Sequence, residues 1–130
     1  MFPFSSTQRY YFYRHPTDMR KSFNGLSGLV RSQLGADPIS GDIFIFVNRR
    51  RDRIKLLVWD RTGFVLLYKH LQQGTFELPT FKAEAASCQM KWEELVLILE
   101  GVALESVRRR KRFSLSPKEA AQVVEPGVSI

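Results

Sequence analysis

Three consecutive arginines stand at positions 49–51, between two apolar runs of the sequence. Each guanidinium stays charged and presents five N–H donors in a planar fork, a geometry that suits phosphate and carboxylate groups. Three such groups cannot be buried together without partners, because an unpaired buried charge is very costly. The run therefore predicts an exposed basic tip, which lies in water or contacts a polyanion such as a nucleic-acid backbone.

The run that follows the arginines adds cations and an aromatic ring. Arg53, Lys55 and Trp59 alternate, so they share one face if the run is a β-strand. A mixed aromatic and basic face binds nucleic acid by stacking bases and neutralising phosphates. The alternative, which we favour because both faces carry apolar residues, is that a helix covers this face and packs Trp92 near Trp59. The candidate nucleic-acid-binding residues are Arg49, Arg50, Arg51, Arg53, Lys55, Trp59, Arg20 and Lys21.

Catalytic residue types are present, but without a catalytic pattern. The sequence has no phosphate-binding glycine loop, zinc-ligand spacing or serine-nucleophile motif. Five aspartates fall at predicted turns or at a helix cap, where backbone hydrogen bonding explains them without a two-metal site: Asp18, Asp37, Asp42, Asp52 and Asp60. The single cysteine, Cys88, is predicted to be a half-buried small hydrophobe. We therefore predict that the protein is not an enzyme and has no catalytic residues, metal, cofactor or small-molecule substrate.

Composition and charge narrow the class of protein. The 130 residues, 44% of them hydrophobic, suffice for one globular domain. Residues 1–76 hold 12 Lys/Arg and 5 Asp/Glu and carry all of the +7 net charge, while residues 77–130 hold 8 of each. This asymmetry indicates a polyanionic partner, with a basic surface kept for solubility as the alternative. The lack of a membrane-span-length apolar stretch or a secretory signal, together with the lone cysteine, predicts a cytoplasmic protein with no membrane partner.

A first helix is predicted near residues 18–34. Thr17 or Asp18 would cap it, and Gly35 would end it. Its apolar stripe recurs at helical spacing: Met19, Phe23, Leu26, Val30 and Leu34. Arg20 and Lys21 lie off this stripe, so they are predicted to face solvent or a partner.

Three β-rich runs follow, at 43–47, 53–59 and 64–71, and predict an antiparallel meander. A loop at 48–52 would place Val47 opposite Arg53, which puts one set of apolar residues under the first helix: Phe44, Phe46, Ile54, Leu56 and Val58. Asp52 would partly neutralise one of the neighbouring arginines. A tight loop at DRTG would pair Phe64 with Trp59 and Tyr68 with Lys55.

The remainder of the chain is predicted with less regular structure. Residues 76–78 form a short fourth strand, and residues 80–90 form an irregular link. A second helix runs from about 91 to 100, with one apolar face, and Gly101 ends it; that face is Trp92, Leu95, Val96 and Leu99. The prediction is thus one α+β domain over residues 1–113, containing a second basic run at 108–112. Residues 114–130 are a C-terminal extension with a short helix.

Several ordered blocks of this sequence resemble a bacterial family. They are HPTDMRKSFNGL at 15–26, DPISGDIFIF at 37–46, DRIKLLVWDRTGFVLLYKHLQQGTFELP at 52–79, MKWEELVLILEG at 90–101 and RRRKRF at 108–113. They resemble the TnpB accessory proteins of the insertion sequences numbered sixty-six, which are distinct from the RNA-guided nuclease of the same name.

The resemblance implies a protein encoded beside a separate, larger transposase and needed for transposition of the element. With the basic hairpin, it predicts a non-catalytic accessory protein that binds DNA. The alternative is an adaptor that docks on the transposase without binding DNA itself, its basic face meeting an acidic surface.

Overall fold

The structure, a computed structural model, describes residues 4–101. These residues form five strands and two helices in the order β1 (Tyr10–Tyr13), α1 (Phe23–Ser32), β2 (Ile43–Val47), β3 (Arg53–Asp60), β4 (Gly63–His70), β5 (Ser87–Met90) and α2 (Trp92–Glu100). This is the small α+β fold that the sequence predicts. The basic run at 108–112 and the predicted helix in 114–130 lie outside the described residues.

The strands form one mixed sheet in the order β4-β3-β2-β1-β5. The predicted meander is confirmed, since β2 pairs with β3 and β3 with β4, both antiparallel. The β1 strand pairs with β2 in parallel, so α1 is the crossover between them. Two details of the prediction are wrong. Residues 76–78 form no strand, and the predicted link contains β5, which pairs antiparallel with β1.

The first hairpin differs by one residue from the predicted register. Val47 lies opposite Ile54, and Phe46 lies opposite Lys55. The loop holds four residues rather than five, because the Asn48 N–H donates to the carbonyl of Arg53 at 3.2 Å and makes those two residues a pair. The second hairpin has the predicted register, with Phe64 opposite Trp59 and Tyr68 opposite Lys55.

This one-residue shift exchanges the faces of β3. Phe44 and Phe46 lie under α1 as predicted, but Ile54, Leu56 and Val58 lie on the opposite face, in a core with Leu95 and Ile98 of α2. The residue of β3 that packs with Phe44 under α1 is Leu57. Each face of the sheet is therefore covered by one helix, which explains why β2 is apolar at every position.

The two helices differ in how well their bounds match the prediction. The α2 helix matches its prediction and ends at Gly101, whose φ of 79° is accessible to glycine at little cost. Leu95 and Ile98 are its fully buried residues, whereas Val96 is half-buried. The α1 helix begins only at Phe23, so Asp18 does not cap it. None of the helices in residues 4–101 is long and apolar enough to cross a membrane.

Candidate nucleic-acid interface

The loop between β2 and β3 is held by one asparagine. Asn48 Oδ1 accepts from the backbone N–H groups of Asp52 and Arg53, both at 3.0 Å, and Nδ2 donates to Asp52 Oδ1 at 2.7 Å. The Arg51 N–H donates to the Asn48 carbonyl at 3.1 Å, and the Arg51 carbonyl accepts from Phe76 N–H at 2.6 Å. The backbone that carries the three arginines is therefore fixed at both ends and in its interior.

The three arginine side chains project from this loop. Arg49, Arg50 and Arg51 are all exposed, and no carboxylate in residues 4–101 lies within ion-pair distance of them. We call these three residues the basic tip.

Asp52 forms no ion pair with the three arginines of the basic tip. Its carboxylate faces the Asn48 amide and His70, whose Nε2 lies 3.6 Å from Oδ2. The hydrogen bond from Asn48 is the largest cause that lowers the pKa of Asp52, so the group stays ionised at neutral pH. The Asp52 carboxylate thus stabilises the loop between β2 and β3.

A second segment, residues 16–20, lies beside the tip. Thr17 is buried, and its N–H donates to the Val47 carbonyl at 2.9 Å, which attaches the segment to the end of β2. Asp18 accepts from the backbone N–H of Arg20 at 2.9 Å and from the Arg20 guanidinium at 2.7 to 3.1 Å. The hydrogen bonds and charge of Arg20 hold the pKa of Asp18 at about 2. The Asp18–Arg20 pair is local and replaces the predicted helix cap.

The two segments enclose an open cleft of about 680 Å³. Its cationic lining residues are Arg20, Arg49, Arg50 and Arg53, and its acidic ones are Asp18 and Asp52. Arg53 is exposed and donates to the Tyr68 hydroxyl at 3.0 Å. Four of the eight candidate residues therefore meet here, although 28 positions separate Arg20 from Asn48 in the sequence. We call this site the basic cleft.

Lys55 does not belong to the cleft surface. It is 6% exposed, and its Nζ donates to the backbone carbonyls of Met19 and Lys21, both at 2.8 Å. The ammonium also lies 4.6 Å from the centroid of the Tyr68 ring. These bonds hold the chain outside helical geometry just before α1. Lys55 is thus a structural residue, and phosphate would have to displace its present partners.

Lys21 and Trp59 also lie apart from the cleft lining. Lys21 is exposed, and its side-chain stem closely approaches Gly25 in α1. Trp59 is half-buried and packs edge-on against Phe64, with ring centroids 5.1 Å apart. The predicted packing of Trp92 near Trp59 is wrong, because Trp92 packs against the α2-side core and its ring lies 5.8 Å from Tyr10.

Asp42 and Asp37 do not line the cleft, and each is engaged locally. Asp42 pairs with Arg9 at 3.1 Å, and Asp37 accepts from the Ile39 N–H within its own turn. No group of three His, Cys, Asp or Glu side chains within residues 4–101 is arranged to hold a metal ion. Burial, with a smaller contribution from Glu94, raises the pKa of the Cys88 thiol, which disfavours the reactive thiolate.

The fold and the cleft define a small α+β protein with a basic surface cleft. A family model described as "IS66 Orf2 like protein" matches residues 8–109. The chain therefore belongs to the IS66 Orf2-like family, which confirms the resemblance seen in the sequence and makes it an accessory protein of an insertion sequence.

Two proteins of Sinorhizobium fredii are similar to the chain. The uncharacterised protein y4jC is 41% identical over 95 residues, which is 73% of this chain and 80% of the relative. The uncharacterised protein y4hO is 29% identical over 102 residues, which is 78% of this chain and 87% of the relative. No solved structure matches the chain.

Proposed function

We propose that the protein supports transposition by binding DNA through the basic tip and the basic cleft. The observation that carries this proposal is the convergence of Arg49, Arg50 and Arg53 with Arg20 around one open cleft. Arginine forks in an exposed, concave site suit the oxygens of a phosphodiester backbone. Such contacts position a protein on DNA and carry little sequence information by themselves.

The proposal includes no catalytic step. The aspartates near the cleft are engaged by neighbours: Asp18 by Arg20, and Asp52 by Asn48 and His70. We expect the purified protein to leave supercoiled plasmid intact in Mg²⁺ or Mn²⁺. A nicked product that disappears in Asp18→Asn or Asp52→Asn would contradict this expectation.

A gel-shift series tests the DNA-binding proposal. Duplexes containing the terminal repeat of the element and random duplexes are titrated at several salt concentrations. Arg49→Gln/Arg50→Gln/Arg51→Gln should weaken binding to both duplexes about equally, and each lost phosphate contact should reduce the slope of log affinity against log salt by about 1. Wild-type protein that binds neither duplex would refute the proposal.

The control is Arg31→Gln/Arg61→Gln, which removes two positive charges and is matched by a tip variant with two substitutions, Arg49→Gln/Arg50→Gln. Both control arginines are exposed, as the tip arginines are, but Arg31 lies in the last turn of α1 and Arg61 in the turn between β3 and β4. Arg61 is separated from the basic tip by the length of β3, about 26 Å for eight residues. The control variant should bind DNA as the wild type does. That result would show that binding depends on the position of the arginines rather than on net charge alone.

A separate observation supports an adaptor role as a second candidate function. Two large aromatic residues, Phe23 and Tyr68, are 42% and 48% exposed. Both belong to the face of the sheet that carries α1, and exposed aromatic residues are common at protein interfaces. In this candidate function the partner is the transposase of the same element.

A further inference from the structure

The basic tip is flanked by a second hollow, which the sequence did not indicate. A smaller hollow of about 290 Å³ lies between the tip and the end of β1. Its polar lining includes Arg14, His15, Asn48, Arg49 and Arg51, and no aspartate or glutamate lines it. The basic cleft, by contrast, contains two carboxylates. The second hollow thus has the less compensated positive charge of the two.

The two hollows share the residues that form the wall between them. Pro16, Asn48 and Arg49 line both, whereas Arg50 lines the cleft, and Arg51 lines the second hollow and a further hollow that contains Glu77. The left-handed backbone at Arg51, with φ of 61°, belongs to the same turn that sends these neighbours to different sides.

Arg14 is already held in place for binding. Its Nη1 donates to the carbonyls of Lys82 and Ala85 at 3.3 and 3.4 Å, and its guanidinium lies over the Phe81 ring, 5.7 Å from the centroid. Its side chain is nevertheless exposed, and within residues 4–101 Nε and Nη2 have no hydrogen-bond acceptor. A side chain that is fixed before binding loses less entropy when a ligand arrives.

His15 completes the polar lining from the neighbouring position. Its ring meets Tyr13 edge-on at 5.6 Å between centroids, and the side chain remains exposed. An imidazole N–H supplies a hydrogen bond to a phosphate oxygen in either charge state.

We propose that the second hollow is a phosphate-binding site, so that a nucleic-acid backbone contacts both sides of the tip, with Arg14 as a binding residue. The inference rests on the proposed DNA-binding function and extends it from one cleft to two flanking sites. The ligand is a phosphodiester chain because arginine forks on both sides of a narrow wall match repeating phosphates along a strand.

Arg14→Gln tests the inference by salt-dependent binding of a short random duplex and its single strand. The expected result is weaker binding to both and a salt slope reduced by about 1. Between about 50 and 200 mM salt, the affinity of both proteins falls. The factor by which it falls should be about three times smaller for the variant than for the wild type. Arg31→Gln is the matched control, and it should keep the full slope.

A charge-preserving variant separates binding from folding, since Arg14→Gln also removes two bonds to the 82–85 segment. Arg14→Lys loses the arginine fork but keeps the positive charge, so it should restore most of the salt slope. A slope that stays reduced in Arg14→Lys, with a lowered melting temperature in both variants, would assign Arg14 a structural role and overturn the inference.

Two other outcomes distinguish this inference from the proposed function. If Arg14→Gln binds as wild type while the tip variant is impaired, DNA binding stands and the second site is refuted. If Arg14→Gln keeps its DNA affinity but no longer co-purifies with the transposase, the hollow meets a protein rather than a phosphate backbone, which also refutes the site.

Discussion

Arg51 combines a charge that we propose to bind DNA with an unfavourable backbone conformation, and one substitution distinguishes the two. Its φ of 61° lies in the left-handed region, which costs an ordinary residue about 1–2 kcal/mol. Glycine avoids that cost but adds about 0.5–1 kcal/mol of chain entropy to lose on folding. Both backbone hydrogen bonds of Arg51 survive the change. We expect Arg51→Gly to raise the free energy of unfolding by about 0–1 kcal/mol in urea titrations, yet to weaken DNA binding.

Arg61 supplies the control for this prediction. It is an exposed arginine at φ of 52°, in the turn at the other end of β3. Arg61→Gly should give a similar change in stability with no change in DNA affinity. Equal losses of affinity in the two variants would mean that position does not matter, and the basic tip would lose its special role.

The Asp18–Arg20 pair links the charge of the basic cleft to pH. Arg20 lowers the pKa of Asp18 from its usual 3.8 to about 2, so the folded state binds this proton less readily than the unfolded chain does. The pair therefore stabilises the fold fully above about pH 4, and that contribution is lost as pH falls towards 2. The stability gap between wild type and Asp18→Asn should narrow over this window, as followed by urea midpoints at successive pH values.

Asp18→Asn removes a stabilising pair from the fold, but at neutral pH it should strengthen DNA binding. Asp18→Asn removes a negative charge from the cleft and frees Arg20, while the amide oxygen still accepts from the Arg20 N–H. DNA affinity should therefore increase. Asp42→Asn is the matched change, since Asp42 pairs with Arg9 at the start of β2, away from the tip. An increase in both variants would point to net charge alone.

The Asn48 side chain helps to fix the loop with which the β2–β3 hairpin presents the basic tip. Asn48→Ala deletes two accepted bonds and one donated bond without altering any charge. We expect a loss of about 1–3 kcal/mol in the free energy of unfolding. DNA affinity should also fall at temperatures where the variant is folded, because the arginines must be ordered on binding. Unchanged affinity in the folded variant would show that the tip needs no fixed backbone.

The elements that were predicted correctly are those that local pattern determines. β2, the second hairpin and α2 follow from apolar runs bounded by turn residues and glycine. The register of the first hairpin was wrong because the backbone of Asn48 pairs with Arg53 and the Asn48 side chain closes the shorter loop, and neither interaction leaves a periodic signal in the sequence. The start of α1 was wrong because Lys55, 34 positions beyond Lys21, takes the carbonyls before the helix. The β5 strand has only four residues and no clear alternation of polar and apolar residues, and its pairing with β1 defines it.

The sequence predicted only part of the candidate site, because the rest of the site depends on tertiary packing. The exposure of Arg49, Arg50 and Arg51 follows from the cost of burying three charges. That Arg20 and Arg53 join them depends on tertiary packing at the end of β2, where Thr17 meets Val47. Lys55 was assigned to the surface because its sequence neighbours gave no sign of the two backbone carbonyls to which it donates.

Across the chain, the basic tip and the exposed aromatic residues Phe23 and Tyr68 make the two candidate functions separable. Arg49→Gln/Arg50→Gln/Arg51→Gln should lose DNA affinity but still co-purify with the transposase of the same element from nuclease-treated lysate. Phe23→Ser serves as the reciprocal variant, and it should keep DNA binding because Phe23 does not line the basic cleft. Melting curves of both variants control for folding, since exposed side chains contribute little to the core. If instead the arginine variant binds DNA as wild type does and no longer co-purifies, the tip docks on the transposase, and the adaptor role replaces DNA binding as the function of the protein.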